Sequence, residues 1–207
     1  MADWVFKFEE NSSENQIVQE LITLTQIIMK TQFLYIHGLN SDATSRKYLN
    51  LKEYFQGKFE LDCLEWKNDD NISELLDKVE LKLENEINPI LFGDSTGANF
   101  AWQLRERRRH KGKNSILILS SPLLDVSKRI AEFEFPGQLK TYLNKIEHPT
   151  DAMLIVPTND ELIEHTHLWE NELENINLLK VEDTHRLPNF KDYLPEIEQY
   201  ISIKTNE

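Results

Sequence analysis

A short apolar run that leads into a glycine-flanked serine is the segment that most restricts how this chain can fold. Pro89 to Phe92 has the length and composition of a buried strand, and the five residues after it follow the pattern G-x-S-x-G. Gly93 and Gly97 lack the side chains that would obstruct a tight turn from strand to helix. Such a turn presents the Ser95 hydroxyl at the edge of a sheet, with the N-terminus of the next helix directed at it. The segment therefore predicts Ser95 as a nucleophile.

Two later loops carry the other groups that a nucleophilic serine needs. Asp160 follows an apolar strand predicted over residues 151–157, and His185 follows a second apolar run, Ile176 to Val181. The order serine, acid, histidine, with each residue on the loop after a strand, is that of the α/β-hydrolases. The sequence predicts Ser95 as nucleophile, Asp160 as acid and His185 as base.

The loop after the first predicted strand completes the predicted site. Phe33 to Ile36 is apolar, and the loop that follows it is where this fold supplies the second backbone donor of an oxyanion hole. We assign the two donors to the N–H groups of Leu39 and Thr96. Supporting positions are predicted on the same turns: His37, which would order the loop, and Gly38, Asn40, Gly93 and Gly97.

Apolar strands alternate with helical patterns along the rest of the chain. This alternation predicts an α/β fold, α/β-hydrolase-like, with a mostly parallel sheet flanked by helices on both faces. Helices are predicted over residues 161–174 and 189–203, the second kinked or split by Pro195. Residues 121–149 are longer than a simple crossover and are predicted to form a small helical cap whose apolar side chains line an acyl or alkyl pocket. The alternative is a covering helix pair with only a packing role.

The 207 residues suit one domain over residues 31–207, preceded by an extension over residues 1–30. The extension is predicted to contain a strand at Trp4 to Phe8 and an amphipathic helix. It could pack on the sheet or on a second subunit, so a homodimer is compatible with the sequence.

Composition excludes two classes of partner and favours one compartment. Acidic residues outnumber basic ones 36 to 23, giving a formal charge of -13, which opposes binding to nucleic acid or to an anionic membrane. Apolar runs long enough to span a membrane, about 18 residues, are absent, and Met1 to Glu20 does not resemble a signal peptide. The single cysteine, Cys63, is predicted to be a core thiol and favours a reducing cytoplasm.

Other polar residues compete for the predicted roles. Asp125 lies on another loop where this fold can place its acid, whereas Asp183 is predicted to shape the turn before the histidine. His165 and His167 are two positions apart on a predicted helix and would point to different faces. We therefore predict no metal site, and the sequence indicates no cofactor.

The basic cluster between Arg105 and Lys111 falls at the end of the predicted nucleophile helix. Cations there complement the helix dipole, so the cluster is predicted to be a solvated face. Binding of a phosphorylated substrate tail, such as that of coenzyme A, is the alternative.

From Phe33 to Ile203 the chain resembles the small bacterial YqiA-like esterases, a compact branch of the α/β-hydrolases. Five segments carry the resemblance: Tyr35 to Ser41 with Ser45 and Lys47, Gly93 to Gly97, Asn159 to Leu162, Asp183 to Arg186, and Asn189-Phe190. The resemblance implies an esterase acting on carboxylic esters, acyl thioesters included. Three positions depart from the family pattern. Thr96 stands where the family has leucine, Ala98 stands where it has the second glycine of a pair, and Asp94 places a carboxylate that would oppose charge build-up in the oxyanion hole.

The sequence thus predicts a serine hydrolase that cleaves a small-molecule ester or thioester through an acyl-enzyme. A non-catalytic binding or regulatory protein with the same fold is an alternative, motivated by Asp94 and Thr96. A peptidase or lactonase would use the same three residues and is a further alternative.

Overall fold

Six parallel strands form one sheet in the computed structural model, which describes residues 30–170 and 173–206. The strands are β1 (Gln32–Ile36), β2 (Glu60–Leu64), β3 (Ile90–Asp94), β4 (Ile116–Ser120), β5 (Ala152–Pro157) and β6 (Ile176–Val181). Their order in the sheet is β2-β1-β3-β4-β5-β6, and every neighbouring pair is parallel. Because the strands are parallel, the loops that follow them gather at one edge of the sheet.

Six helices lie between and after these strands. They are α1 (Arg46–Tyr54), α2 (Ile72–Lys82), α3 (Thr96–His110), α4 (Gly137–Lys140), α5 (Thr166–Glu170) and α6 (Leu194–Thr205), with short 3-10 turns at Val126–Lys128 and Phe190–Tyr193. Buried apolar residues of α2 and α3 belong to one apolar cluster, whereas those of α1 and α6 belong to a second. None of the helices in the described part of the chain is long and apolar enough to cross a membrane.

Both faces of the sheet are buried because the central strands are apolar at successive positions. In β1, Phe33 and Tyr35 belong to the cluster that contains α1 and α6, whereas Leu34 and Ile36 belong to the cluster that contains α2 and α3. Side chains alternate between the faces of a strand, so a continuous apolar run covers both. The predicted fold class, a parallel sheet with helices on both faces, is confirmed.

The helix predicted over residues 161–174 is mostly wrong. Among the described residues of this range, only Thr166–Glu170 is helical. The Asp160 carboxylate accepts the N–H groups of Leu162 and Ile163 at 2.9 Å each, as an N-cap would, so it does not oppose a helix. The backbone groups that a helix would pair are instead bonded to residues 128–130: the Leu162 carbonyl accepts the Ile130 N–H at 2.9 Å, and the Glu164 N–H donates to the Lys128 carbonyl at 2.8 Å.

The helix predicted over residues 189–203 is split near Pro195 and not kinked there. Pro195 lies in the first turn of α6, after a separate 3-10 turn at Phe190–Tyr193. Proline is well tolerated in a first turn because the backbone N–H that it lacks would have no partner inside the helix.

Residues 121–149, the insertion, contain less helix than their apolar spacing suggests: one 3-10 turn and the four-residue α4. Leu139 and Ile146 are buried in the apolar core, whereas Phe133 and Phe135 line the cavity at Ser95. Within the insertion, Lys128 to Ile130, here called the strap, pairs with residues 162–164 through an antiparallel bridge between Arg129 and Ile163. The insertion therefore both packs against the core and borders the cavity. The strand and helix predicted within residues 1–30 fall on positions outside the described ones.

Candidate active site

Ser95 occupies the sharp turn between β3 and α3. Its backbone angles are φ 52° and ψ -115°, a left-handed conformation that is rare for a residue with a side chain. The turn is held from β4 and from the loop after it: the Ser95 N–H donates to the Ser120 carbonyl at 2.9 Å, and the Leu123 N–H donates to the Ser95 carbonyl at 3.0 Å. Such strain persists only where the surroundings fix it, and it occurs at functional turns.

The two glycines around Ser95 permit close packing of the turn. A Cβ atom on Gly93 would collide with the backbone of Gly97 and Ala98, and one on Gly97 would collide with the carbonyl oxygens of Ile36 and His37. The beginning of α3 therefore lies directly against the end of β1. This close contact brings the loop after β1 next to the serine.

The three residues predicted as nucleophile, base and acid lie in one hydrogen-bonded chain. Ser95 Oγ is 2.9 Å from His185 Nε2. On the other side of the imidazole, His185 Nδ1 is 2.8 Å from Asp160 Oδ2 and 3.0 Å from Oδ1. With Nδ1–H donated to the carboxylate, Nε2 is left as the acceptor for the serine hydroxyl. This arrangement can withdraw the serine proton during attack on a carbonyl.

The Asp160 carboxylate accepts hydrogen bonds from two histidine side chains and from the backbone of the loop after it. Burial by itself raises the pKa of Asp160, but hydrogen bonds from His165 and His185, the charge of His185 and the backbone bond from Leu162 reverse that effect and hold the pKa below its ordinary value. The carboxylate therefore stays ionised while almost fully buried. The sequence suggests His165 only as a metal ligand and carries no signal for this contact, which depends on how the loop after β5 folds.

His185 is fixed through its backbone by three side chains. Its carbonyl accepts the Ser121 hydroxyl at 2.8 Å and the Lys47 ammonium at 3.4 Å, and its N–H donates to Glu161 Oε2 at 3.1 Å. These three residues come from α1 and from the loops after β4 and β5. The loop that carries the histidine is thereby positioned by long-range contacts.

The two predicted oxyanion donors border the same cavity as Ser95. Within the described residues, the backbone N–H groups of Leu39 and Thr96 donate to no other group. A Cβ atom on Gly38 would lie 3.0 Å from Ser95 Cβ and 3.6 Å from Ser95 Oγ, so the loop after β1 packs directly against the serine. Asn40 has a φ of 57° in this loop. The arrangement leaves two donors available near a carbonyl attacked by Ser95.

His37 is buried behind this loop and does not contact Ser95. Its Nδ1 lies 2.8 Å from the Gly38 carbonyl, its Nε2 accepts the Trp66 N–H at 3.1 Å, and its ring stacks on the Trp66 ring with centroids 5.0 Å apart. Burial lowers the pKa of His37. The residue is therefore a neutral link between the loop and the segment after β2.

Asp94 is paired with a buried lysine. Lys47 Nζ lies 2.6 Å from Asp94 Oδ1, and the two side chains are only 6% and 14% exposed. Lys47 also donates to Ser120 Oγ at 3.2 Å, and that hydroxyl donates to Asp94 Oδ1 at 3.0 Å. The carboxylate that would oppose charge build-up thus has a neutralising partner, which the sequence alone did not reveal.

The competing acids have other contacts. Asp125 Oδ1 accepts the Ser127 N–H at 2.8 Å and caps the 3-10 turn. Asp183 accepts the N–H groups of Thr184 and Asn189 and the hydroxyl of Tyr193, all within the histidine loop and the turn after it. The His185 imidazole is bonded to Asp160.

The basic cluster at the end of α3 is a solvated face only in part, because Arg109 and Lys111 are exposed whereas two other arginines are not. Arg105 and Arg108 are buried. Arg105 donates to the carbonyls of Thr150 and Asp151, while Arg108 donates to carbonyls of the α2–β3 connection, among them Glu86 at 3.0 Å. These guanidiniums satisfy backbone groups at loops and helix ends, which requires several donors on one long side chain.

Of the metal candidates, His165 is bonded to the acid Asp160. Among residues 30–170 and 173–206, histidine, cysteine, aspartate and glutamate form no cluster of three or more that could hold a metal ion. Cys63 is half-buried in β2, where burial raises the pKa of its thiol to about 12.

Comparison with known proteins supports the fold assignment. No protein-family model and no curated protein sequence matches this chain. Among solved structures, it is similar to a Xanthomonas campestris pv. campestris protein assigned to the hydrolases of the alpha/beta superfamily, with 18% identity and a TM-score of 0.55 over 81% of this chain and 99% of that one.

Two further structures show the same likeness. Est1E from Butyrivibrio proteoclasticus has 12% identity and a TM-score of 0.62, over 85% of this chain and 88% of its own. Human thioesterase 2 has 11% identity and a TM-score of 0.58, over 84% of this chain and 97% of its own. At these identities the likeness shows the fold alone: the chain has an α/β-hydrolase-like fold.

Proposed function

We propose that this protein is a serine esterase that cleaves carboxylic esters, including acyl thioesters, through an acyl-enzyme. The observation that carries the proposal is the chain of hydrogen bonds from Ser95 Oγ to His185 Nε2 and from His185 Nδ1 to Asp160. It is supported by the strained conformation of Ser95 and by the two unused N–H groups beside it.

In the proposed mechanism, His185 takes the Ser95 proton as Oγ attacks the carbonyl carbon of the ester. The N–H groups of Leu39 and Thr96 stabilise the oxyanion, and Asp160 stabilises the imidazolium. The tetrahedral intermediate then collapses, His185 protonates the leaving alcohol or thiol, and the acyl group remains on Ser95. Water, deprotonated by His185, attacks this acyl-enzyme and releases the carboxylic acid and free serine.

The structural neighbours support an ester or thioester substrate class without defining it. One neighbour is named as a thioesterase, and Est1E has also been solved with ferulic acid bound. Membership of the YqiA-like esterases and a reducing cytoplasmic location, based on the single Cys63, are parts of the same proposal. The 1–30 extension, the 31–207 domain and the second-subunit contact stay predictions.

The test is labelling with a fluorophosphonate probe, located by peptide mass spectrometry, together with hydrolysis of 4-nitrophenyl esters of increasing chain length. Wild-type protein should be labelled at Ser95 and should hydrolyse at least one of the esters. Ser95→Ala should lose labelling and nearly all turnover, about 10³- to 10⁶-fold. Ser202→Ala, a change on the exposed side of α6, is the matched control and should behave like wild type.

A folded wild-type protein that is not labelled and hydrolyses none of the esters would contradict the proposal. That result would favour the non-catalytic binding protein. Circular dichroism and thermal unfolding of Ser95→Ala establish that any loss reflects chemistry and not a folding defect.

A further inference from the structure

The cavity in front of Ser95 has a volume of about 640 Å³, large enough for a small-molecule substrate. Its lining contains four basic residues, Arg46, Lys47, Arg129 and Arg186, and two acidic residues, Asp94 and Glu161. Lys47 and Asp94 form a buried ion pair and neutralise each other. Glu161 already accepts the His185 N–H. Apart from the Lys47–Asp94 pair, the charged lining therefore consists of three arginines and one carboxylate, Glu161.

This distribution of charge is unusual for a chain with 36 acidic and 23 basic residues. All seven arginines lie in the described residues, and Arg105, Arg107 and Arg109 form ion pairs with carboxylates there. Of the four that form none within the described part of the chain, Arg108 is buried against backbone carbonyls. The other three are the arginines of the cavity.

Arg129 is held in place without a counter-charge. Its guanidinium stacks on Phe133 and Phe135, with its central carbon 4.7 Å and 5.2 Å from the ring centroids, and Nη2 donates to the Phe133 carbonyl at 3.0 Å. Burial lowers the pKa of Arg129, and no carboxylate among the described residues offsets that effect. A guanidinium held in this way retains N–H donors for a bidentate contact with a carboxylate or phosphate.

Arg46 and Arg186 lie beside the loop that carries His185, and they differ in how their guanidiniums are held. Arg46 Nη2 donates to the carbonyls of Arg186 and Leu187, at 3.0 Å and 3.2 Å. The Arg186 guanidinium has no hydrogen bond or ion pair with the described residues, and it directly follows His185. Both arginines are exposed and therefore accessible to a ligand in the cavity.

We propose that the substrate is an anionic ester, one that carries a carboxylate or phosphate group bound by Arg129 and Arg186. This inference rests on the proposed esterase function and names its substrate class. The anionic group can belong to the acyl part or to the alcohol or thiol part, because arginine binds the same chemistry in either position.

The test compares three 4-nitrophenyl esters with six-carbon acyl chains: the hexanoate, the adipate monoester and the 6-aminohexanoate. They differ in the group at the end of the chain, which is uncharged in the hexanoate, negative in the adipate and positive in the aminohexanoate. A fourth ester, 3-carboxy-4-nitrophenyl hexanoate, places the carboxylate on the leaving group. We expect kcat/KM for one of the two carboxylate esters to exceed that for the aminohexanoate by about tenfold or more, with a preference that declines as salt is raised. The ester that shows the preference identifies the end that binds the anion.

Arg129→Gln and Arg186→Gln should each reduce kcat/KM for the preferred carboxylate ester by about tenfold while leaving the hexanoate within about twofold. Arg109→Gln, which removes the same charge from an exposed position outside the cavity, should leave the preference unchanged. Turnover of the hexanoate with neither carboxylate ester preferred over the aminohexanoate would overturn the inference alone. Equal losses on charged and neutral esters in the arginine variants would also overturn it, since the arginines would then be structural. Failure of every ester, with Ser95 unlabelled, would overturn the proposed function itself.

Discussion

His165 and Asp160 are joined by a hydrogen bond of 2.9 Å between Nε2 and Oδ2, and their side chains are 1% and 2% exposed. The same carboxylate oxygen receives His185 Nδ1 at 2.8 Å, so one buried acid is shared by two histidines. Within the described residues, Nδ1 of His165 has no hydrogen-bond partner, which makes the contact with Asp160 the only polar role of this ring. We infer that His165 is a positioning residue that fixes the orientation of the acid.

His165→Leu should reduce kcat/KM by about tenfold or more, because a hydrogen bond to a charged group contributes about 1.5 to 3 kcal/mol. His165→Gln, which keeps an N–H donor near the position of Nε2, should recover much of the loss. If both variants are equally impaired, His165 has only a packing role.

Asp160→Asn should reduce kcat by about 10⁴-fold while the protein stays folded, because the amide no longer holds the His185 tautomer that accepts the serine proton. The measurement is steady-state hydrolysis of a 4-nitrophenyl ester. Asp125→Asn is the matched control: it changes the competing acid, which caps a 3-10 turn, and should keep near wild-type turnover. A large loss in Asp125→Asn with a small one in Asp160→Asn would exchange the two assignments.

Lys47→Met should lower the free energy of unfolding by about 3 to 5 kcal/mol, because it leaves the Asp94 carboxylate buried without its partner. It should also lower kcat, since the unpaired Asp94 carboxylate is adjacent to Ser95 and would repel the oxyanion that forms on the attacked carbonyl. Urea unfolding and steady-state kinetics of Lys47→Met, Asp94→Asn and the double variant measure both effects. The double variant should be more stable and more active than Lys47→Met alone; additive losses would show that the two residues act independently.

Lowering the pH from 7 to 5 should destabilise the protein through His37. Burial lowers the pKa of His37 in the folded state, so the unfolded chain takes up a proton that the folded protein does not. The stability that His37 contributes is complete above its unfolded pKa of about 6.5 and falls below it, by at most about 1.4 kcal/mol per pH unit. Urea unfolding at several pH values should show a flatter dependence in His37→Asn. An identical slope would mean that His37 takes up its proton equally in both states.

Gly97→Ala should unfold or strongly destabilise the protein, because the new methyl group would collide with the carbonyl oxygens of Ile36 and His37. Overpacking of this kind costs about 1 to 3 kcal/mol, and more where backbone must move. Gly137→Ala is the control, since nothing lies within 4 Å of its added Cβ and the residue is in a helix. Thermal unfolding should show a large decrease for Gly97→Ala and little change for Gly137→Ala. Equal melting temperatures would contradict the packing argument.

The sequence by itself determined the parallel sheet and the positions of the candidate nucleophile, acid and base. Apolar runs such as Phe33 to Ile36 and Ile116 to Leu119 specify strands buried on both faces, and in a parallel sheet the residues after each strand meet at one edge. Ser95 and His185 are therefore expected to lie near each other although 90 residues separate them. Local chemistry also explains why glycines surround the serine.

The tertiary structure alone decided which side chains support and surround these residues. The pairing of Lys47 with Asp94, the second histidine on Asp160 and the stacking of Arg129 in the cavity depend on distances between segments that no periodicity encodes. The helix predicted over residues 161–174 was mostly wrong for the same reason. Its apolar spacing favoured a helix, but the strap takes up the Leu162 carbonyl and the Glu164 N–H, which a helix would use. Local sequence sets the preference of a segment, and long-range contacts decide which of its hydrogen bonds form.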